Sequence, residues 1–477
     1  MTMNFLQQSG CEIARRIRAG EISPVEVVEA HIERIVRVNP KLNAVVHNRF
    51  EEARIEAKQA EERIRSAEVE ELPPFLGVPC TIKESIAVSG MPNSSGMESR
   101  AGLRASEDAT VVARLRAAGA IPLGVTNTPE LTVWGATFNR VYGRTNNAYD
   151  ASRVAGGSSG GEGAIVGAGA SPFGIGTDVG GSIRGPAFCN GVFGHKPTGG
   201  LVPGTGQFPG YAGEMLRFNT TGPLARRAED LMPVLQVIAG PDGRDTGCLP
   251  FELGDPGDVD LAALRVLVIE DDGGSPGVTR ELRHAQQRAA YALAKQGAAL
   301  ELISLSGLAN SLSIVGGSII EAGGTSLDDT LGGGEPTRLG RELARVALRR
   351  SAHSYPPLAM LSLERLGRRA PRWAKRNYER GIRLLEQLDE LLGDDGIILY
   401  PSSSRVAPRH GPTASAAFRF LGLFNVLQLP VTQVPLGLSR AGLPLGVQVI
   451  SRRGHDHLTI AAALELERAL GGWLPPH

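Results

Sequence analysis

The sequence predicts an α/β protein, on three observations. Amphipathic stretches with helical spacing are interleaved with short apolar runs bounded by glycine and proline. The 477 residues are enough for one large core or for two or three ordinary ones. Hydrophobic residues make up 42% and charged residues 21%, close to globular averages.

Taken in order, residues 5–38 place Ile13 and Ile17, then Val25, Val28, Ile32 and Ile35, at helical spacing. Ser23, Pro24 and Glu26 fit an N-cap, a first-turn proline and an N3 glutamate. Residues 51–68 are charged and alanine-rich, a helix with one solvated face. "LPPFLGVPCTIKESIAV" then switches to strand-like runs, 108–119 return to helix, and "AIPLGVTN" predicts a buried strand. Further strands are expected at "LRVLVIED" (264–271) and "DGIILYP" (395–401), and helices at 278–297 and 457–470. No internal repeat is visible.

Residues 156–200 hold 16 glycines but only four charged side chains, Glu162, Asp178, Arg184 and Lys196. Their other residues are Ala, Ile, Val and Phe, which flexible linkers lack. This composition predicts a packed segment where backbones approach closely. Residues 338–383 are the opposite case, with 13 Arg or Lys against three Glu in a helical pattern. They read as a solvated pair of surface helices. The alternative is a face that meets a membrane or an acidic partner.

Formal net charge is zero, so no global basic field argues for nucleic acid. Cys11, Cys80, Cys189 and Cys248 lie far apart, without zinc or disulfide spacing; a reducing, cytoplasmic setting is expected. The N-terminus does not read as a signal peptide, and no run of about 18 apolar residues predicts a spanning helix. The basic residues are 44 arginines and 6 lysines, a bias expected of a GC-rich bacterial genome. Each lysine therefore stands out.

Gly156 to Gly160 fit G-x-S-x-G, but "DASRVAG" before them is a poor strand. His410, His455 and His457 lie downstream without a feature that marks one as a base. No P-loop, complete GxGxxG or HExxH occurs, so no nucleotide cofactor and no metal are expected. A serine can instead use a lysine that is buried and neutral. Lys83 follows an apolar run in "GVPCTIKESIAV"; Lys196, in the expected turn "GHKPTGG", is the rival.

These segments strongly resemble the amidase signature family of serine hydrolases. The likeness runs through "IRAGEISPVEVVEAHIERI", "NPKLNAVV", "GVPCTIKE" and "DATVVARLRAAGAIPLGVTNTPE". It is densest in "GGSSGGEGAIVGAGASPFGIGTDVGGSIRGPAFCNGVFGHKPTGGLVP" and returns at "LPLGVQVI". Only residues 305–390 are poorly alike. The central motifs look most like the fatty acid amide hydrolase branch and its bacterial relatives.

The resemblance implies a single domain over 1–477 with a central mixed twisted β-sheet covered on both faces by helices. Within it, 1–72 are N-terminal helices, 73–200 the catalytic region and 305–390 a variable helical cover. It implies a triad of Lys83, Ser158 after a cis peptide, and nucleophilic Ser182. Backbone amides of Val179, Gly180, Gly181 and Ser182 would face the oxyanion. Thr132 and Gly185 are expected to contact substrate, Gly185 by leaving a roomier pocket. Glu84 follows the lysine where many members carry Asp. Ser159 is assigned a structural hydrogen bond, and Asp178 and Arg184 are assigned to bracing the oxyanion loop. Residues 203–216 and 305–390 are expected to line or cover the pocket.

The implied activity is hydrolysis of a carboxylic amide through an acyl-enzyme, with esters or aryl carbamates as further substrates. The alternatives are a glutamine-hydrolysing amidotransferase subunit and a non-catalytic binding protein of the same fold. The expected partner is a small molecule, without nucleic acid, in a monomer or homodimer.

Overall fold

The computed structural model describes residues 5–66, 71–270, 277–324, 326–411 and 419–476. Residues 67–68 of the helix expected over 51–68, Asp271 of the strand expected over 264–271, and Thr325 lie outside them.

Ser23 accepts from the Val25 N–H, and Pro24 starts the helix Pro24–Leu42. A shorter helix, Gly10–Arg18, precedes it under a Ser9 cap, and Phe50–Ser66 follows. Between the last two lies β1 (Val45–Asn48), an edge strand that helical periodicity does not reveal. It is four residues long, and Asn43 turns the chain into it in the left-handed conformation, φ 50°.

The remaining strands are β2 (Pro79–Lys83), β3 (Ile121–Thr126), the short hairpin β4 (Phe138–Asn139) and β5 (Gly143–Arg144), β6 (Phe173–Asp178), β7 (Phe193–Lys196), β8 (Thr220–Ala225), β9 (Arg265–Val268), β10 (Ala299–Leu302), β11 (Gly396–Pro401), β12 (Val431–Leu438) and β13 (Pro444–Ile450). Eleven of them form one mixed sheet, in the order β1-β3-β2-β6-β8-β7-β12-β13-β11-β9-β10. β2 runs parallel to both β3 and β6, whereas β8 is antiparallel to β6 and β7. Helices flank the sheet. Leu224 and Ala225 are consecutive on β8 yet belong to different hydrophobic clusters, because successive side chains point to opposite faces.

The glycine-rich segment resolves into the helix Gly160–Gly167, β6, the helix Arg184–Cys189 and β7. Its strands are invisible to propensity, since four of the six residues of "FGIGTD" are polar or glycine. Pairing to β2 on one side and β8 on the other holds β6 extended. Residues 305–390 are helical, with helices Ser311–Glu321, Leu327–Gly332, Leu339–Ala347, Tyr355–Arg368 and Pro371–Leu392. The basic stretch 338–383 thus spans parts of three helices, not a pair. Among the described residues no helix is long and apolar enough to cross a membrane.

Candidate active site

Every residue of β2 is buried, and Lys83 ends it with no exposed surface. Lys83 Nζ donates to Ser158 Oγ at 2.7 Å and to Thr177 Oγ1, on β6, at 2.8 Å. Burial disfavours the ammonium and lowers its pKa to about 7, although Asp178 and Glu162 pull the other way.

Lys196 is also fully buried, and its pKa too falls to about 7. It ends β7 and does not lie in the turn that the sequence suggests. Among the described residues its Nζ donates only to the Pro197 carbonyl, at 2.7 Å. Burial alone does not separate the two lysines; the hydroxyl beside Lys83 does. Among the described residues no histidine ring is hydrogen-bonded to a serine hydroxyl. His195 is buried, but its ring nitrogens are engaged by Thr432 and Asp456.

Ser158 follows a cis peptide from Gly157. A Cβ on Gly157 would collide with the Trp134 carbonyl oxygen, so only glycine lets the two segments pass. Ser159 ties the turn to both neighbours. Its N–H donates to the Ser182 carbonyl at 3.1 Å, and its Oγ donates to the Thr177 carbonyl at 3.2 Å. Ser158, Ser159 and Ser182 therefore move as one piece with the end of β6.

The loop after β6 is organised by one carboxylate. Asp178 Oδ1 accepts from the Gly181 N–H at 2.6 Å, and Oδ2 from the Ile183 N–H at 3.0 Å. Arg184 meets it side-on, through Nε at 3.1 Å and Nη2 at 3.0 Å. Arg184 is itself held by Asn425 at 2.6 Å and Gln448 at 2.7 Å. Burial raises the Asp178 pKa, but the Arg184 charge and these donors outweigh it and hold the group well below the usual carboxylate range.

Within residues 156–200 only Val179, Gly180 and Ser182 are not buried. The N–H groups of the same three residues have no protein acceptor among the described residues. The expected donor set is thus corrected at Gly181, whose N–H is committed to Asp178. Gly181 instead has φ 107°, and a Cβ there would collide with Leu421.

Gly185 is a second correction. It is buried in the helix Arg184–Cys189, its N–H donates to the Gly181 carbonyl at 2.7 Å, and its backbone lies against Gly156. It serves close packing of chain on chain and not an open pocket wall. Thr132 is half-buried at φ 59° and hydrogen-bonds Tyr211, from the 203–216 segment. Glu84 is buried and accepts from the Ser94 and Ser95 N–H groups at 2.7 and 2.8 Å, shaping the turn that follows Lys83.

The variable helices reach this neighbourhood at two points. Tyr355 packs edge-on to Trp134 at 5.6 Å, and His353 contacts Glu130 at 2.7 Å. Val315, from Ser311–Glu321, lies beside Gly422, which in turn faces Gly180. Sequence reasoning missed Thr177, Asn425 and Gln448. Thr177 carries only its place beside Asp178 as a signal, and the other two are polar residues in the C-terminal third that nothing local marks.

A family model described as Amidase matches residues 26–460. The chain belongs to the amidase signature family. Among its relatives, fatty-acid amide hydrolase 2-B of Danio rerio is 42% identical, over 100% of this chain and 92% of the relative. Indoleacetamide hydrolase of Bradyrhizobium diazoefficiens is 34% identical, over 98% of this chain and 87% of the relative. The solved structure of 6-aminohexanoate cyclic dimer hydrolase superposes with a TM-score of 0.81 at 28% identity, covering 98% of this chain and 97% of that one. This amidase is an amide-hydrolysing enzyme close to the fatty-acid amide hydrolases.

Proposed function

We propose that this amidase cleaves carboxylic amides through an acyl-enzyme on Ser182, with Ser158 and Lys83 as its proton relay. The observation that carries the reading is the buried contact of Lys83 Nζ with Ser158 Oγ, 2.7 Å long, in a segment open only at Val179, Gly180 and Ser182.

The amine of Lys83 is neutral in the resting relay. In that form it keeps its hydrogen bond to Thr177, and its lone pair accepts from the Ser158 hydroxyl across the 2.7 Å contact. Ser182 Oγ bonds to the substrate carbonyl carbon as its proton passes to Ser158, and the Ser158 proton passes to Lys83. The carbonyl oxygen becomes an oxyanion beside the free N–H groups of Val179, Gly180 and Ser182. Asp178 and Arg184 keep that loop in place before substrate arrives. The relay then runs backward and protonates the departing nitrogen as the C–N bond breaks. Water repeats the cycle on the acyl-enzyme.

The likeness to fatty-acid amide hydrolase 2-B supports an apolar acyl group as substrate. Esters and aryl carbamates present the same carbonyl. A fluorophosphonate, mapped by peptide mass spectrometry, is expected to label Ser182. Label on Ser158 alone, or on no serine, would sink the assignment. A panel of fatty-acyl, arylacetyl and acetyl anilides then ranks the acyl groups.

A further inference from the structure

One buried acid next to this relay has no part in the mechanism so far. Glu162 lies in the first turn of the helix Gly160–Gly167 and has no exposed surface. Its Oε2 is 2.6 Å from Thr81 Oγ1 and its Oε1 is 2.8 Å from Thr126 Oγ1. Thr81 precedes Lys83 by two residues on β2, and Thr126 stands opposite Lys83 in the β2–β3 register. A Cβ on Gly174, the β6 partner of Thr81, would fall on the carboxyl oxygen. The chamber is therefore cut to fit one carboxyl and closed on that side.

The spacing matters as much as the burial. Ser158 and Glu162 are four residues apart, Ser158 just before the N-cap Ser159 and Glu162 inside the first turn of the helix. Ser158 meets Lys83, and Glu162 meets Thr81 on the same strand. The helix is thus pinned to β2 at two points, one of them the relay contact itself. A shift of the helix that moved Ser158 off Lys83 would also have to break the contact of Glu162 with Thr81.

A carboxylate in this place would work against the chemistry. It would favour the ammonium form of Lys83, which cannot accept a proton, and it would oppose an oxyanion forming nearby. The first-turn position favours the anion modestly. Complete burial disfavours it and raises the Glu162 pKa to about 8, against the lowering by Thr81, Thr126 and Lys83. Threonine hydroxyls accept as readily as they donate, so the same contacts serve a protonated carboxyl.

The other ionisable groups do not change this balance. From β2, Lys83 acts on Glu162, and the Cys80 thiol is raised by burial and by Glu162 itself, which keeps it protonated. Asp178 on β6 acts on Lys83. Arg184, on the neighbouring helix, is engaged by Asp178, Asn425 and Gln448. On the helix Pro24–Leu42, Arg34 donates to the Ala168 carbonyl, and His31 is buried on the Val27 carbonyl.

We propose that Glu162 is a positioning residue for Lys83 that works as a protonated carboxyl, pinning the Ser158 helix to β2 and β3 without placing a negative charge behind the amine. The effect on turnover rests on the relay proposed above; the protonation state does not.

The test uses the full chain and three forms: wild type, E162Q and E162A. The infrared difference spectrum of wild type minus E162Q is expected to show the carbonyl stretch of a protonated carboxylic acid at neutral pH, fading as pH rises past about 8. In kcat/KM profiles on a chromogenic anilide, wild type is expected to decline above that pH, and E162Q to lose the decline. E162A, which orphans two threonine hydroxyls, is expected to fall about tenfold or more, well beyond E162Q. Only carboxylate bands at neutral pH would overturn the proposal, whatever the activity. So would an E162Q profile with the wild-type alkaline decline. A wild type that hydrolyses no amide but shows the acid band would defeat the functional reading and leave the protonated carboxyl standing.

Discussion

Residues 156–200 and residues 339–392 hold their charges in opposite ways. In the first region the charged side chains are buried and answered inside the protein, as Asp178 is by Arg184 and by backbone N–H groups. In the second they pair along helix surfaces, as Arg345 does with Glu342 and Arg368 with Glu364. Apolar residues differ in the same sense. Ile165, Val166 and Ile183 have no exposed surface, whereas Leu348 is 66% and Leu366 65% exposed. A buried ion pair is unforgiving, because either partner left alone is an uncompensated charge. Surface pairs contribute roughly 0–1 kcal/mol and tolerate change. The difference teaches that the proposed chemistry is held where substitution is costly, and the proposed substrate cover is built where it is cheap.

The comparison breaks first at Lys83. Arginine keeps the charge but cannot give up its proton. Lys83→Arg is therefore expected to lose about 10²–10⁴ in kcat, as much as Lys83→Ala, consistent with removal of a general base. Near-wild-type turnover in a folded Lys83→Arg would show that the buried site needs charge and not a base. Next comes Asp178→Asn, which leaves Arg184 facing an amide. Urea denaturation is expected to show a loss of about 3–5 kcal/mol. A loss no larger than that of a surface pair would erase the distinction between the two regions.

The pH dependence sharpens the same point. The proposed relay needs neutral Lys83, whose pKa is lowered to about 7. Below that value the neutral fraction falls as pH falls, so kcat/KM is expected to drop about tenfold per unit of acidification and to level off above it until Glu162 ionises at about 8. A break near the ordinary lysine value, about 10.4, would place the base outside the buried segment. At the helices the effects shrink. Tyr355→Ala removes aromatic contacts to Trp134 and Phe138 and is expected to cost about 1 kcal/mol in stability. Leu366→Gln, on the exposed face, is expected to stay within about 0.5 kcal/mol by thermal unfolding.

Legibility in the sequence follows the range of the interactions. Ser23 and Pro24 announced a helix because capping acts over three residues. Lys83 and the serines stand out in the sequence through a rare residue type, a glycine-flanked motif and a family resemblance. β1 was missed because four residues, most of them only partly buried, leave no periodic trace. Lys196 was read as part of a turn because the following "PTGG" masks the end of β7. Gly181 and Gly185 do not stand apart from true donors or pocket openings in the sequence: Gly181 is committed to Asp178 by the local shape of the loop, which no motif marks, and Gly185 is packed by Gly156 from an earlier turn. Asn425 and Gln448 lie 241 and 264 residues from Arg184, beyond the reach of any local pattern.

Those two distant hydrogen bonds also bear on how the protein comes into being. Arg184 precedes Asn425 and Gln448 by 241 and 264 residues, so a ribosome makes Lys83, Ser158 and Ser182 long before those supports. The Arg184 brace has no Asn425 or Gln448 to grip until synthesis has passed them, and β7 has no β12 beside it. A nascent chain would therefore hold Ser182 on a loop that still lacks its supports, and the order of synthesis sets the order in which the site is assembled.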